Sequence, residues 1–152
     1  MLRTTFPEKM KQAMIAKDEM AVGTVRLIMA AMKDRDIAAR SKGNYDGISE
    51  DEILSMLQSM IKQRQESIKM YEAGNRPELA AREAAEIKII EGYLPAQLSE
   101  EEVKKAIEAA IQSTGAASPK DMGKVITELK SKYTGQIDFG KVSPLVKEKL
   151  SG

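Results

Sequence analysis

Seven lysines (Lys120, Lys124, Lys130, Lys132, Lys141, Lys147 and Lys149) stand near the end of the chain against four acids (Asp121, Glu128, Asp138 and Glu148). That is a local excess of three positive charges in a chain whose net charge is +1. Lys120 and Lys124 lie one helical turn apart, and Lys130 and Lys132 fall near the end of the same segment. Ammonium groups in such a cluster can hold a phosphate backbone, with electrostatic affinity and little reading of base identity. The candidate nucleic-acid contacts are therefore Lys120, Lys124, Lys130, Lys132 and Lys141. The competing account is a solvated surface whose lysines complement a helix end. Tyr133 and Phe139 are the only aromatics nearby, few for stacking on single strands.

Two other groupings invite chemistry. Gly135, Gly140 and Lys141 have the GxxxxGK spacing of a phosphate loop, but Val142 follows where serine or threonine would bind magnesium. No apolar strand precedes Gly135, so the segment reads as a turn. The second grouping is the polar girdle Lys62-Gln63-Arg64-Gln65-Glu66. It interrupts an apolar helix face made by Ile53, Leu57, Met60 and Ile61 and resumed by Ile68 and Tyr71. Arg64 has a planar fork suited to carboxylate or phosphate. Its structural reading is a pair with Glu83 or Glu86 on the next helix; its functional reading is an anion site in a cleft. The structural reading is the expectation here.

Composition closes off most catalysis. There is no histidine and no cysteine among 152 residues. That removes the usual general base near neutral pH, thiol nucleophiles, disulfides and the commonest metal ligands. No catalytic residue, cofactor or metal is expected. No apolar run approaches the roughly 18 residues of a membrane helix, and the first ten residues, MLRTTFPEKM, lack a signal-peptide apolar region. A cytoplasmic protein without membrane attachment is expected.

The elements that must position these residues read as helices throughout. Phe6, Met10, Ala13, Met14 and Lys17 give a first helix with Pro7 in its first turn. Val22, Val25, Ile28, Met29 and Met32 give a second over 19–40, where Lys33-Asp34-Arg35-Asp36 reads as a solvated face. A Gly- and Asn-containing loop, SKGNYDG, follows. Ser49 with Glu52 forms a capping box for the long helix, and Gly74 suits its left-handed end. Asn75 then offers an N-cap for a helix starting at Pro77, and Pro95 after Leu94 marks a boundary. Ser99 with Glu102 opens a fifth helix that Gly115 closes. Ser118-Pro119 opens a sixth, Asp138 caps a short turn, and Ser143-Pro144 restarts a final helix. The predicted fold is all-α and multihelical: an N-terminal four-helix portion, residues 1–95, then a small C-terminal three-helix domain, residues 96–152.

Four stretches carry a family resemblance: RLIMAAMKDRDI (26–37), MIKQRQESIKMY (60–71), EIKIIEGYLPAQLSEEEV (86–103) and SPKDMGKVI…TGQIDFGKVSPLVKEKL (118–150). In this order they resemble the YqeY family, which is similar to the C-terminal helical and tail region of GatB. GatB is the tRNA-binding subunit of Asp/Glu-tRNA amidotransferase. The resemblance implies an all-helical fold in two parts and a tail-like surface, Lys120 to Lys149, that meets tRNA or another structured RNA. The family label, carbon–nitrogen ligase activity with glutamine as amido donor, implies chemistry that other domains of the amidotransferase perform. A noncatalytic RNA-binding module is the expectation. A protein-interaction adaptor working through exposed methionine-containing faces of the first helices is the alternative.

Overall fold

The computed structural model describes residues 1–151 and is helical throughout. Seven α-helices follow one another: α1 (Leu2–Ile15), α2 (Glu19–Arg40), α3 (Glu50–Ala73), α4 (Pro77–Glu91), α5 (Glu100–Thr114), α6 (Met122–Tyr133) and α7 (Phe139–Ser151). The chain divides into two compact units, Met1–Leu94 with α1 to α4 and a second beginning at Pro95 with α5 to α7.

In the first unit α3 is the spine. Its start is the capping box written in the sequence: Ser49 Oγ accepts from the Glu52 N–H at 3.2 Å, and the Glu52 carboxylate accepts from the Ser49 N–H at 3.2 Å. Ile53, Met56, Leu57 and Met60 are buried and meet Phe6 of α1, Val25 and Ile28 of α2 and Ile90 of α4 in one core. Met56 belongs to that core as well, beside the Ile53, Leu57 and Met60 that the apolar spacing marks. The Phe6 ring lies edge-on to Tyr93 with centroids 5.1 Å apart. The second unit has its own core, in which Ile107 of α5, Val125 and Leu129 of α6 and Val146 of α7 interlock.

Five local expectations are corrected. Gly74 is not left-handed (φ −86°); Asn75 takes that conformation at φ +56°. The Asn75 and Arg76 N–H groups donate back to the Glu72 and Tyr71 carbonyls at 3.2 and 2.8 Å, closing α3 as a Schellman turn. Asparagine is the side chain that tolerates this region best after glycine, so Asn75 ends α3 and does not cap α4. Pro7 lies inside α1, because the helix already starts at Leu2. Ser118-Pro119 opens a 3₁₀ turn, Pro119–Asp121, before α6. There Asp121 folds back to accept from the Ala117 N–H at 3.0 Å. Finally, α7 runs unbroken through Pro144, and Asp138 caps it by accepting from the Gly140 N–H at 3.0 Å. A proline in the second turn forfeits one bond to a carbonyl, which α7 offsets by burying Val142, Val146 and Leu150.

Candidate nucleic-acid interface

All five candidate lysines, Lys120, Lys124, Lys130, Lys132 and Lys141, are exposed. Lys120 lies in the 3₁₀ turn, Lys124, Lys130 and Lys132 on α6, and Lys141 in the first turn of α7. At about 100° per residue, α6 does not present its three lysines on one face. Lys124 and Lys130 stand about 120° to either side of the buried Val125–Leu129 stripe, and Lys132 lies at its edge. What spreads around the helix is a cationic collar.

The acids of this region are mostly occupied. Lys132 pairs with Glu128 at 3.0 Å, and that bond holds its ammonium above the usual lysine range. Lys124 approaches Asp121 at 3.9 Å, while the Asp121 carboxyl is held low chiefly by the Ala117 N–H. Lys149 pairs with Glu108 of α5 at 2.8 Å. Lys130 sits over the Phe139 ring, 5.8 Å from its centroid. Among the described residues Lys120, Lys141 and Lys147 have no carboxylate partner. The Gly135–Lys141 segment is a turn into the N-terminus of α7, with Gly135 at φ +83°, as the missing strand and hydroxyl implied.

The girdle on α3 forms the second charged feature, within the first unit. Arg64 Nε donates to Glu86 Oε2 at 2.9 Å, with Glu83 Oε2 at 3.9 Å, and its Nη1 donates to the Met60 carbonyl at 3.1 Å. Arg64 also lines a cleft of about 430 Å³ between α3 and α4, with Gln63, Ser67, Tyr71, Leu79, Arg82, Glu83 and Glu86, under Leu27 of α2. Two arginines face two glutamates there, so the cleft is charge-balanced. A simple anion gains from one pair what it loses to the other. Arg64, with 13% of its side chain exposed, is occupied in holding α3 to α4.

A third charged cluster joins residues that lie far apart in the sequence. Asp36 is not on a solvated face; 19% of its side chain is exposed, and it grips Arg3 in a two-point pair at 2.8 and 3.0 Å. It also accepts from the Ile48 N–H at 2.9 Å, while Arg3 Nη2 donates to the Ile48 carbonyl at 3.0 Å. The Glu50 carboxylate accepts from the Leu2 N–H at 3.0 Å. The Arg3 hydrogen bond is the main cause that holds the Asp36 carboxyl below its usual range. Sequence spacing cannot pair positions 3 and 36; the available signal was Asp36 falling beside Met29 and Met32 on the inward side of α2.

Among the described residues no group of three or more acids or other ligating side chains converges as a metal ion would need. No described helix is long and apolar enough to cross a membrane. What the geometry defines is a multihelical protein whose charged groups either lock helices together or stand in solvent. The chain belongs to the YqeY family, described as Yqey-like protein, and matches it over residues 3–150. It is 36% identical over 85 residues to the Saccharomyces cerevisiae protein named "Altered inheritance of mitochondria protein 41, mitochondrial", covering 56% of this chain and 44% of that one. Proteins of the same name from Lachancea thermotolerans and Vanderwaltozyma polyspora are 35% and 34% identical over 85 residues. The matched stretch thus spans under half the length of these relatives.

Proposed function

We propose that this chain is a noncatalytic RNA-binding module for tRNA or another structured RNA, acting in the cytoplasm without cofactor, metal or membrane. The observation that carries this reading is the lysine-rich second unit, in which Lys120, Lys141 and Lys147 keep their charge for an outside partner. Lys124, Lys130 and Lys132 add charge although each has a local contact. The resemblance of this stretch to the GatB tail supports the same reading. Phosphate contacts of this kind predict binding that weakens about a thousandfold or more between roughly 50 and 200 mM salt if six phosphates are engaged. Fluorescence anisotropy with labelled tRNA measures this, with Lys120→Gln/Lys124→Gln as the control variant. Affinity unchanged across that salt range, or unchanged in the variant, overturns the proposal. A glutamine-dependent transamidation assay on the isolated chain should show no turnover.

One observation favours a second reading. Met14 and Ile15, at the end of α1, and Met70 on α3 are large apolar side chains left exposed. A protein partner seated on α1 would survive high salt and nuclease treatment, and its loss under nuclease would remove this alternative.

A further inference from the structure

The outward face of α2 differs from the outward faces around it. Gly23, Arg26, Ala30, Lys33, Ile37 and Arg40 follow one another at helical spacing of three or four, and all six are exposed. Arg26, Lys33 and Arg40 recur every seven residues, so the row runs about 21 Å at 1.5 Å per residue. Between Gly23 and Arg40 no acid interrupts it; the exposed Glu19 heads the same face one heptad before Arg26, Asp34 stands on its flank and Asp36 is turned inward to Arg3. Among the described residues none of the three cations comes within 4.0 Å of a carboxylate oxygen, although the charge of Arg40 reaches Asp36 and helps to hold its carboxyl low. The outer face of α3, by contrast, mixes Asp51, Lys62, Glu66, Lys69 and Glu72. Ala30 leaves the gap between Arg26 and Lys33 open, Ile37, 49% exposed, stands between Lys33 and Arg40, and a Cβ at Gly23, beyond Arg26, would meet nothing within 4 Å.

A second observation lies at the end of this row. The loop after α2 holds Tyr45 with 78% of its surface in solvent. The tyrosine is not on a loose tether. The Asn44 N–H donates to the Ala39 carbonyl at 3.0 Å, pinning the loop to the last turn of α2. The Asn44 side chain then braces the turn from both sides, accepting from the Asp46 N–H and donating to the Gly47 carbonyl, each at 3.0 Å. The ring is exposed while the backbone on either side of it is hydrogen-bonded.

A rail of unpaired cations that ends at a fixed, exposed aromatic is the equipment of a single-strand binder: charges follow the backbone and a base stacks on the ring. We infer that the first unit carries a second RNA surface, on which Arg26, Lys33 and Arg40 hold phosphates along an unpaired stretch while Tyr45 stacks one base. This rests on the RNA-binding reading above and deepens it. The lysines of the second unit grip backbone without regard to pairing, whereas the α2 rail selects unpaired nucleotides. Arg26 and Arg40 also bring planar guanidinium groups that contact phosphate oxygens at two points, which lysine does not. An acidic protein helix would match the rail's charge but leave Tyr45 without a purpose, so RNA is the better fit.

The test uses the full chain and a fluorescein-labelled oligouridylate of about 12 nucleotides, a length within single-strand site sizes, beside an RNA duplex of equal length. Tyr45→Ala should weaken oligouridylate binding about 5- to 100-fold, leave its salt slope unchanged, and barely alter duplex binding. Arg26→Gln/Lys33→Gln/Arg40→Gln should lower the salt slope for the oligouridylate by about 2, at roughly 0.7 per single-strand phosphate contact. All four side chains are exposed, and matching thermal unfolding curves would verify that the variants fold. If the wild-type chain binds neither RNA at low salt, the parent reading and this one fail together. If it binds, and Lys120→Gln/Lys124→Gln weakens it while the α2 and Tyr45 variants do not, this inference alone is overturned.

Discussion

Two single residues show how much stability rests on local geometry. Lys17 stands at φ +59°, a left-handed conformation, where it closes α1 as Asn75 closes α3. The Lys17 and Asp18 N–H groups donate to the Met14 and Ala13 carbonyls at 3.2 and 3.0 Å. A β-carbon in this region costs about 1–2 kcal/mol, part of which glycine returns as extra freedom in the unfolded chain. Lys17→Gly should therefore stabilise the protein by about 0.5–1 kcal/mol in urea unfolding, and a loss of stability would contradict the geometry. Asp36 is the opposite case, a residue whose replacement costs. Its carboxyl titrates below the unfolded value because Arg3 binds the ionised form. The stabilisation is thus complete above the ordinary carboxylate pKa of about 4 and fades as pH falls through the lower folded value. Asp36→Asn should lose about 1–3 kcal/mol at pH 7 and show a shallower decline of stability on acidification than the wild type.

At the scale of elements, the α3–α4 pair tests whether the Arg64 girdle is scaffold. Arg64 and Glu86 each keep only 13% of their side chain exposed, so removing one partner strands the other in a poorly solvated place. Glu86→Gln or Arg64→Met alone should cost about 2–4 kcal/mol, whereas Arg64→Met with Glu86→Leu should recover most of the loss. Additive single losses would show that the two side chains act separately. Much of this level was legible in the sequence. The capping boxes at Ser49 and Ser99, the end of α5 at Gly115 and the helical periods of α2 and α3 are local signals, and local signals act within one turn. Prolines misled where tertiary burial outweighed a local preference. Pro144 reads as a restart, yet the apolar spacing of Val142, Val146 and Leu150 keeps α7 whole. The choice of Glu86 over Glu83, and the Arg3–Asp36 grip, depend on where separate helices meet. The sequence could place Arg64 on the inward face, but helix packing alone decides which glutamate it reaches.

For the whole molecule, the missing residue types matter as much as those present. With no histidine and no cysteine, no side chain has an ordinary pKa between that of the carboxylates and that of tyrosine and lysine. The shifted groups move outward from that gap: Asp36, Glu78, Glu102, Glu108 and Asp121 fall, while Arg3, Tyr93 and Lys132 rise. No side-chain type in this sequence ordinarily changes charge between about pH 5.5 and 7, so salt is the variable expected to act on the cationic surfaces. RNA affinity measured at fixed ionic strength should stay within about twofold from roughly pH 5.5 to 7, while the same titration at fixed pH falls steeply with salt. A binding curve that bent sharply near pH 6.5 would need a titrating group this sequence does not contain. It would place that group on the RNA or on a contaminating partner. A flat pH profile beside a steep salt profile is what binding by lysine and arginine alone requires, and it separates a phosphate grip from any proton-transferring site.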